Sequence, residues 1–283
     1  MTDQYAVFGN PIAHSQSPQI QRQFAEQTQQ SMEYRKQLVE REDFAEAADT
    51  FFANGGQGLN ITTPFKQDAF DYSSNYAHST TERARCAGAV NTLAKQPDGT
   101  VLGDNTDGVG MVTDIVHNLG WEIRHKRVLI LGAGGAVRGV LEPLLAEQPQ
   151  HIVIANRTVE KALQLAKQFA EQGYLLGCGL DSLHGQSFDL IINATSAQLQ
   201  GQLPQLPDSL IATDNPDQQV ACYDMMYGAK PTDFVVWAQQ RGALASDGLG
   251  MLVEQAAESF ALWRGVRPQT AEVMQWLRQQ IGS

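Results

Sequence analysis

The sequence predicts an α/β protein of two domains, an N-terminal α/β domain and a second domain built on a parallel sheet, with C-terminal helices packing back. Three observations carry this. Short apolar runs of strand length alternate with segments of helical spacing along most of the 283 residues. An all-apolar run, Val128 to Leu131, enters a glycine-rich turn and then a helical pattern. Beyond Gly248 only helical patterns remain.

Taken in order, Tyr5-Ala6-Val7-Phe8 is a strand. Ser17-Pro18 opens a helix, with Ser17 as N-cap, Pro18 in the first turn, and Ile20 and Phe24 facing inward. Met32 to Leu38 reads as a strand, Arg41 to Ala53 as a helix, Gly58 to Thr62 as a strand and Pro64 to Tyr72 as a helix. Ser73 to Ser79 is polar and reads as a loop. Val90 to Lys95 pairs with Thr100 to Gly103 through the turn Pro97-Asp98-Gly99, which closes a first domain over residues 1–104. Asp107 to Gly120 is expected as one helix, stopped by Gly120, and leads into a second domain over 105–247. There the strands Val128 to Leu131, His151 to Ala155, Asp189 to Ile192 and Val220 to Tyr223 alternate with helices, which implies a parallel sheet covered on both faces. Helices Met251 to Trp263 and Thr270 to Ile281 fill residues 248–283 and are expected to return to the first domain.

Composition narrows the partners. A net charge of −11 repels nucleic acid and anionic membranes, so any bound anion must sit in a local donor-rich site. No basic start precedes a long apolar run and no run is long enough to cross a bilayer, so a soluble, cytoplasmic chain is expected, as a monomer or a homodimer. Cys86, Cys178 and Cys222 are odd in number and widely spaced, which suggests neither a disulfide framework nor a metal site.

The stretch Arg127 to Gly139 contains Gly132-x-Gly134-Gly135 between strand and helix. Glycines let the backbone approach a pyrophosphate, and the helix start offers unpaired N–H groups of partial positive charge, so Gly132, Ala133, Gly134, Gly135 and Ala136 are read as the phosphate loop of a Rossmann-like domain. At the end of the next strand stand Asn156-Arg157-Thr158, with Lys161 a turn later and no carboxylate at the tip. A carboxylate there would repel a 2′-phosphate, whereas these donors fit one, so the expected cofactor is NADP rather than NAD.

In the first domain four segments concentrate donors and acids: His14 to Pro18, Asn60 to Lys66, Gly88 to Thr92 and Gly103 to Gly108. Thr63 as N-cap and Pro64 as first helical residue place Lys66 in a first turn, where the helix dipole disfavours an ammonium and brings the neutral amine within reach. Asp107 opens the next helix, where the anion is favoured. If both helix starts face one cleft, the two form an acid–base couple; the same positions equally suit an exposed lysine and a capping aspartate. Ser15 and Ser17 offer hydroxyls beside a helix start, a receptor for a carboxylate without net positive charge. Asn60, Thr62 and Asn91 add donors and acceptors for a polyhydroxylated ligand.

These segments identify a resemblance. Tyr5 to Pro18, Asn60 to Lys66, Gly88 to Thr92, Gly103 to Gly108, Asn193 to Ser196, Tyr223 to Tyr227 and Asp247 to Gln255 together resemble the motifs of the NADP-dependent shikimate dehydrogenases, over essentially the whole chain. The resemblance implies reversible reduction of 3-dehydroshikimate to shikimate within aromatic amino-acid biosynthesis. It implies Lys66 and Asp107 as catalytic pair, Ser15 and Ser17 on the substrate carboxylate, and Thr62, Asn91, Tyr227 and Gln255 as further substrate residues. For the cofactor it adds Thr195, Met225 and Gly248, with Glu82 as an additional contact. The chain departs from the family pattern at Thr63, Val137 and Gln198 and in the 73–79 segment, none of which includes Lys66 or Asp107. A quinate-directed, NAD-accepting relative would call for an acidic residue at the cofactor strand tip, and a silent NADP-sensing regulator for loss of Lys66 or Asp107; the sequence has neither feature.

Overall fold

Strand β1, Asp3–Gly9, runs parallel to β2, Met32–Leu38, on one side and to β3, Gly56–Ile61, on the other. Being covered on both faces, its centre Tyr5 to Phe8 is wholly buried, which explains an apolar run instead of an alternating one. In the computed structural model, which describes residues 2–74, 78–195, 206–211 and 219–282, the chain divides into two compact units, Met1–Gly110 with Leu252–Leu277 and Met111–Met251 with Arg278–Ser283.

The first unit is a six-stranded mixed sheet. Strand β5, Thr92–Lys95, lies antiparallel to both β3 and β6, Val101–Asp104, and the short β4, Ser79–Thr80, adds parallel to β6, giving the order β2-β1-β3-β5-β6-β4. Helices α1 (Ser17–Gln27), α2 (Phe44–Ala53), α3 (Lys66–Ser74) and α4 (Glu82–Ala87) belong to this unit. Its core gathers Phe8, Phe44, Phe51, Leu59, Phe65 and Leu93, each large side chain contributing about 1.5–3 kcal/mol by leaving water. Most of helix α9, Leu249–Arg264, also packs here, and Trp263 sits directly over Gly58, where an added Cβ would meet the indole at 2.3 Å.

The second unit is a six-stranded sheet, parallel throughout. It comprises β7 (Arg127–Leu131), β8 (His151–Ala155), β9 (Leu175–Cys178), β10 (Leu190–Asn193), β11 (Ala221–Asp224) and β12 (Leu244–Ser246), in the order β12-β11-β10-β7-β8-β9. This is the doubly wound arrangement in which the strand order reverses between β7 and β10, and open sheets of this kind generally take ligands beyond the carboxyl ends of their strands at such a reversal. Helices α6 (Gly135–Ala146), α7 (Val159–Gln168) and α8 (Asp233–Gln239) connect its strands, and α10 (Ala271–Gly282) closes the chain. No helix among the described residues is long and apolar enough to cross a membrane.

Several local expectations need correction. Ser17 does not cap α1: it is the first helical residue, and the N-cap position falls to Gln16, whose side chain makes no capping bond. Helix α2 begins at Phe44, not Arg41, and α3 at Lys66, after a turn in which Phe65 N–H donates to Thr62 O at 3.0 Å. Ser73 and Ser74 extend α3 instead of opening a loop: Ser73 is wholly buried, and its hydroxyl is satisfied inside the helix by Ala69 O at 2.9 Å. Residues 75–77 of that segment lie outside the described residues. The single helix expected over 107–120 is α5, Asp107–Thr113, followed by a π-helical turn, Asp114–Asn118, which Leu119 N–H closes onto Asp114 O at 3.0 Å. The buried Asp114 carboxylate accepts the Tyr223 hydroxyl at 2.7 Å, and Gly250 leaves room for it. Helices α4 and α8 and strands β4, β9 and β12 were not expected; each is too short to show a period.

Candidate active site

Lys66 is the first residue of α3 and Asp107 the first of α5, and their side chains meet: Lys66 Nζ donates to Asp107 Oδ2 at 2.5 Å. The pair is partly shielded, with 36% and 18% of the side chains exposed, so it remains open to a ligand. The other carboxylate oxygen is held from behind, where Asn91 Nδ2 donates to Asp107 Oδ1 at 2.8 Å. The direction of the Asn91 amide follows from its partners. Thr106 N–H can only donate, and it reaches Asn91 Oδ1 at 2.9 Å, so the NH₂ end must face Asp107. Asp107 N–H in turn donates to Asn105 Oδ1 at 3.2 Å.

Behind this lies a buried polar cluster. Asn60 Nδ2 donates to Ser259 Oγ at 3.0 Å, Thr92 Oγ1 at 3.2 Å and Asn91 O at 3.3 Å, and its Oδ1 accepts the Tyr34 hydroxyl at 2.7 Å. Thr92 Oγ1 donates to Asn91 Oδ1 at 2.9 Å. Asn60 thus has its whole amide engaged inside the protein, one step behind the Lys66–Asp107 contact. Burial pushes the Tyr34 phenol well above its ordinary value, with a hydrogen bond to Ser17 acting the other way.

Ser15 and Ser17 face each other, Ser15 Oγ donating to Ser17 Oγ at 3.2 Å and Ser17 N–H donating to Ser15 Oγ at 3.3 Å. Thr62 follows β3, its N–H tied to Phe8 O at 3.0 Å, and its methyl crowds the position a Cβ on Gly9 would take. Gln255 lies on α9, its amide donating to Leu252 O at 2.8 Å, and Gly110 packs against its backbone so closely that a Cβ there would lie 2.6 Å from Gln255 N. Among the described residues neither Thr62 nor Gln255 bonds Lys66 or Asp107 directly. Glu82 heads α4 in the first unit and is paired with Arg85 at 2.7 Å, whose bond holds its carboxyl below the usual range.

In the second unit the predicted cofactor residues gather at the carboxyl ends of the parallel strands. Gly132 follows β7 with φ +111°, a left-handed conformation that an L side chain rarely adopts, and an added Cβ would lie 3.2 Å from Ala194 O. Gly134 occupies the N-cap of α6 with no side-chain capping bond, and a Cβ on Gly134 or Gly135 would meet nothing within 4 Å. The loop through Ala133 and Ala136 is therefore an open cradle over an uncapped helix start, which fits a pyrophosphate. Asn156 follows β8, its amide donating to Thr158 O at 2.9 Å, and Arg157, Thr158 and Lys161 project exposed beyond it. Thr195 follows β10, bonded to Asn193 Oδ1 through its hydroxyl at 2.8 Å. Asn193 donates to the buried Asp224 at 3.1 Å, which also accepts Thr232 Oγ1 at 2.6 Å and Met226 N–H at 3.0 Å. Met225 and Gly248 close this floor, since a Cβ on Gly248 would lie 2.4 Å from Met225 O. Tyr227 is half-buried, its phenol raised by burial and then by Asp247. Ser196 and Gln198 lie outside the described residues.

Sequence reasoning missed Thr92, Thr106 and Ser259, and also Asn193, Asp224 and Thr232. Thr92, Thr106, Asn193 and Asp224 lie inside segments already singled out, whereas Thr232 falls outside them and Ser259 sits in an ordinary helical pattern that carries no signal.

Comparison with known proteins agrees along the chain. A family model described as the shikimate dehydrogenase substrate binding domain matches residues 7–93, one for shikimate / quinate 5-dehydrogenase matches 114–201, and one for the shikimate 5′-dehydrogenase C-terminal domain matches 248–278. Over 282 residues the chain is 60% identical to the shikimate dehydrogenase (NADP(+)) of Cellvibrio japonicus (strain Ueda107), covering 99% of each. The crystal structure of an Ael1 enzyme from Pseudomonas putida is similar with TM-score 0.90 at 44% identity, covering 98% of both chains. A shikimate dehydrogenase crystallised in complex with NADP+ gives TM-score 0.82 at 31% identity, covering 100% of this chain and 96% of that one.

Proposed function

The chain belongs to the shikimate dehydrogenase family, and from that premise we propose how its residues divide the work of an NADP-dependent oxidoreductase of the shikimate pathway. The reaction is the reversible reduction of 3-dehydroshikimate to shikimate. When bound, NADPH supplies the hydride that reaches the ring ketone.

Lys66 gives the proton to the ketone oxygen in reduction and takes it back in oxidation, and Asp107 holds the amine in place through the 2.5 Å contact. Asn91 keeps the Asp107 carboxylate turned toward Lys66 and offers its edge to a substrate hydroxyl. Ser15 and Ser17 receive the substrate carboxylate, while Thr62, Tyr227 and Gln255 take remaining oxygens; Asn60 supports them from within the buried cluster. On the cofactor side, Gly132 to Ala136 cradle the pyrophosphate, Asn156, Arg157, Thr158 and Lys161 hold the 2′-phosphate, and Thr195, Met225 and Gly248 line the floor, with Glu82 a further contact. Residues 1–104 serve as the substrate domain, 105–247 as the NADP domain and 248–283 as returning helices, in a cytoplasmic chain acting as a monomer or homodimer without nucleic-acid or membrane partners.

The single observation that carries this reading is the Lys66–Asp107 contact, two helix-opening residues with opposite charge brought together far from each other in sequence. The test is an absorbance assay at the reduced-nicotinamide band comparing shikimate and quinate, each with NADP and with NAD. Turnover with shikimate and NADP well above the other three combinations is expected; preference for quinate or for NAD would overturn the assignment.

A further inference from the structure

Three residues before Asp107, at the end of β6, stands Asp104, with only 1% of its surface exposed. Its carboxylate receives four donors: Arg83 Nε at 2.7 Å and Thr81 Oγ1 at 2.6 Å on Oδ1, Asn105 N–H at 2.8 Å on the same oxygen, and Arg83 Nη2 at 2.5 Å on Oδ2. Arg83 lies on α4, and its Nη2 also donates to Glu258 on α9 at 3.2 Å. Glu258 in turn accepts from Arg267 at 2.7 Å, and Arg267 reaches the buried Glu254 at 3.0 Å. A chain of alternating charges therefore runs from the end of β6 across α4 to α9, inside the first unit. Asp104 is its terminal member, and the next residues, Asn105, Thr106 and Asp107, are the ones that set the Lys66 contact.

We propose that Arg83 is a positioning residue for the acid–base pair: by gripping Asp104 with both arms of its guanidinium it sets the Asn105-Thr106-Asp107 loop so that the Asp107 carboxylate lies against Lys66. The physical reason is that a carboxylate this deeply buried must be paired. Without the guanidinium it must either take up a proton or move toward water, and because it begins the loop, either change shifts Asp107. A lysine cannot substitute fully, since a point charge lacks the planar fork that fixes both oxygens. Thr81 adds to this, capping α4 with the same oxygen that donates to Asp104, so helix and loop are registered to one another. Burial lowers the Arg83 guanidinium, but Asp104 and then Glu258 more than offset this, so it stays charged throughout the working range.

The inference rests on the reading of Lys66 and Asp107 as the proton-transfer pair. Its test is a double-mutant cycle of Arg83→Gln with Asp107→Asn, read as kcat and KM for shikimate and NADP, with NADP binding and thermal melting measured on each variant. In the otherwise unaltered protein Arg83→Gln should lower kcat by about 100-fold, the cost of a small displacement of a reacting group, with NADP affinity unchanged. In the Asp107→Asn background the same substitution should change kcat by no more than about twofold. Arg83→Lys should restore part of the activity, remaining about tenfold below the parent. Should Arg83→Gln fail to fold, Arg83→Lys carries the same cycle. Equal fold-losses with and without Asp107, or an unchanged kcat, would overturn the role of Arg83. Full activity of Asp107→Asn alone would instead overturn the acid–base reading beneath it.

Discussion

At the scale of single residues, the chemistry turns on what each side chain has for neighbours. Among the described residues Lys66 has one anionic partner, Asp107, and general acid–base catalysis contributes roughly 10²–10⁴-fold, so Lys66→Ala should lower kcat by about that range. KM for shikimate should move far less, and a turnover number equal to the parent's would remove Lys66 from the mechanism. Arg157 stands exposed at the tip of β8, and a charge-assisted hydrogen bond from a guanidinium to a phosphate in general contributes about 1.5–3 kcal/mol. Arg157→Ala should therefore raise KM for NADP by roughly 10- to 100-fold. KM for NAD should stay as it was; a parallel rise for both cofactors would count against 2′-phosphate recognition. Ser17, expected as a helix cap, instead begins its helix and turns its hydroxyl to Ser15, so the serine pair is bonded to itself as a unit.

At the scale of elements, the turn after β7 joins a left-handed backbone position to a close approach of another strand's end. Gly132 combines φ +111° with close approach of the Ala194 carbonyl, so Gly132→Ala should cost about 1–3 kcal/mol, visible as a lower urea midpoint. Denaturation at the parent's midpoint would show that the turn can relax. The start of β7 is tied to Asp189, which precedes β10, through Arg127: Nη2 to Oδ1 at 2.8 Å, Nε to Oδ2 at 3.1 Å and the backbone N–H to Oδ2 at 2.8 Å. Burial raises the Asp189 carboxyl, but these bonds outweigh it and hold it below its ordinary 3.8. A carboxyl depressed in the folded state stabilises above its unfolded value, and that contribution fades as the pH falls through the folded one. Urea unfolding followed from neutral pH to below about 3.8 should lose stability more steeply in the parent than in Asp189→Asn. Curves of equal slope would mean that the pair adds nothing.

At the scale of the whole molecule, binding of NADP to the folded chain alone should raise its thermal stability by mass action. About 2.7 kcal/mol is expected at one hundred times Kd, and NAD at the same concentration should give much less. Equal shifts for the two would contradict the cofactor assignment. Much of this molecule was legible from local sequence. The strand His151–Ala155 was read with its observed ends and Arg127–Leu131 to within one residue, because a buried parallel strand is a short, unbroken apolar run. The glycine loop was legible for a similar reason, since the residues that make the turn are also the ones that free its backbone. Short elements such as α4 and β12 carried too few residues for a period to emerge. Sequence alone thus determined the alternation of most strands and helices, the parallel character of the cofactor-type sheet and the glycine-rich turn after β7, all properties of neighbours along the chain. Only the tertiary structure decided that Lys66 meets Asp107, that Asn91 points its NH₂ end at that carboxylate, and that Arg83 closes on Asp104. Those pairings join residues 16 to 41 positions apart, and the strand pairing and helix packing that bring them within reach are set by the folded core rather than by local spacing.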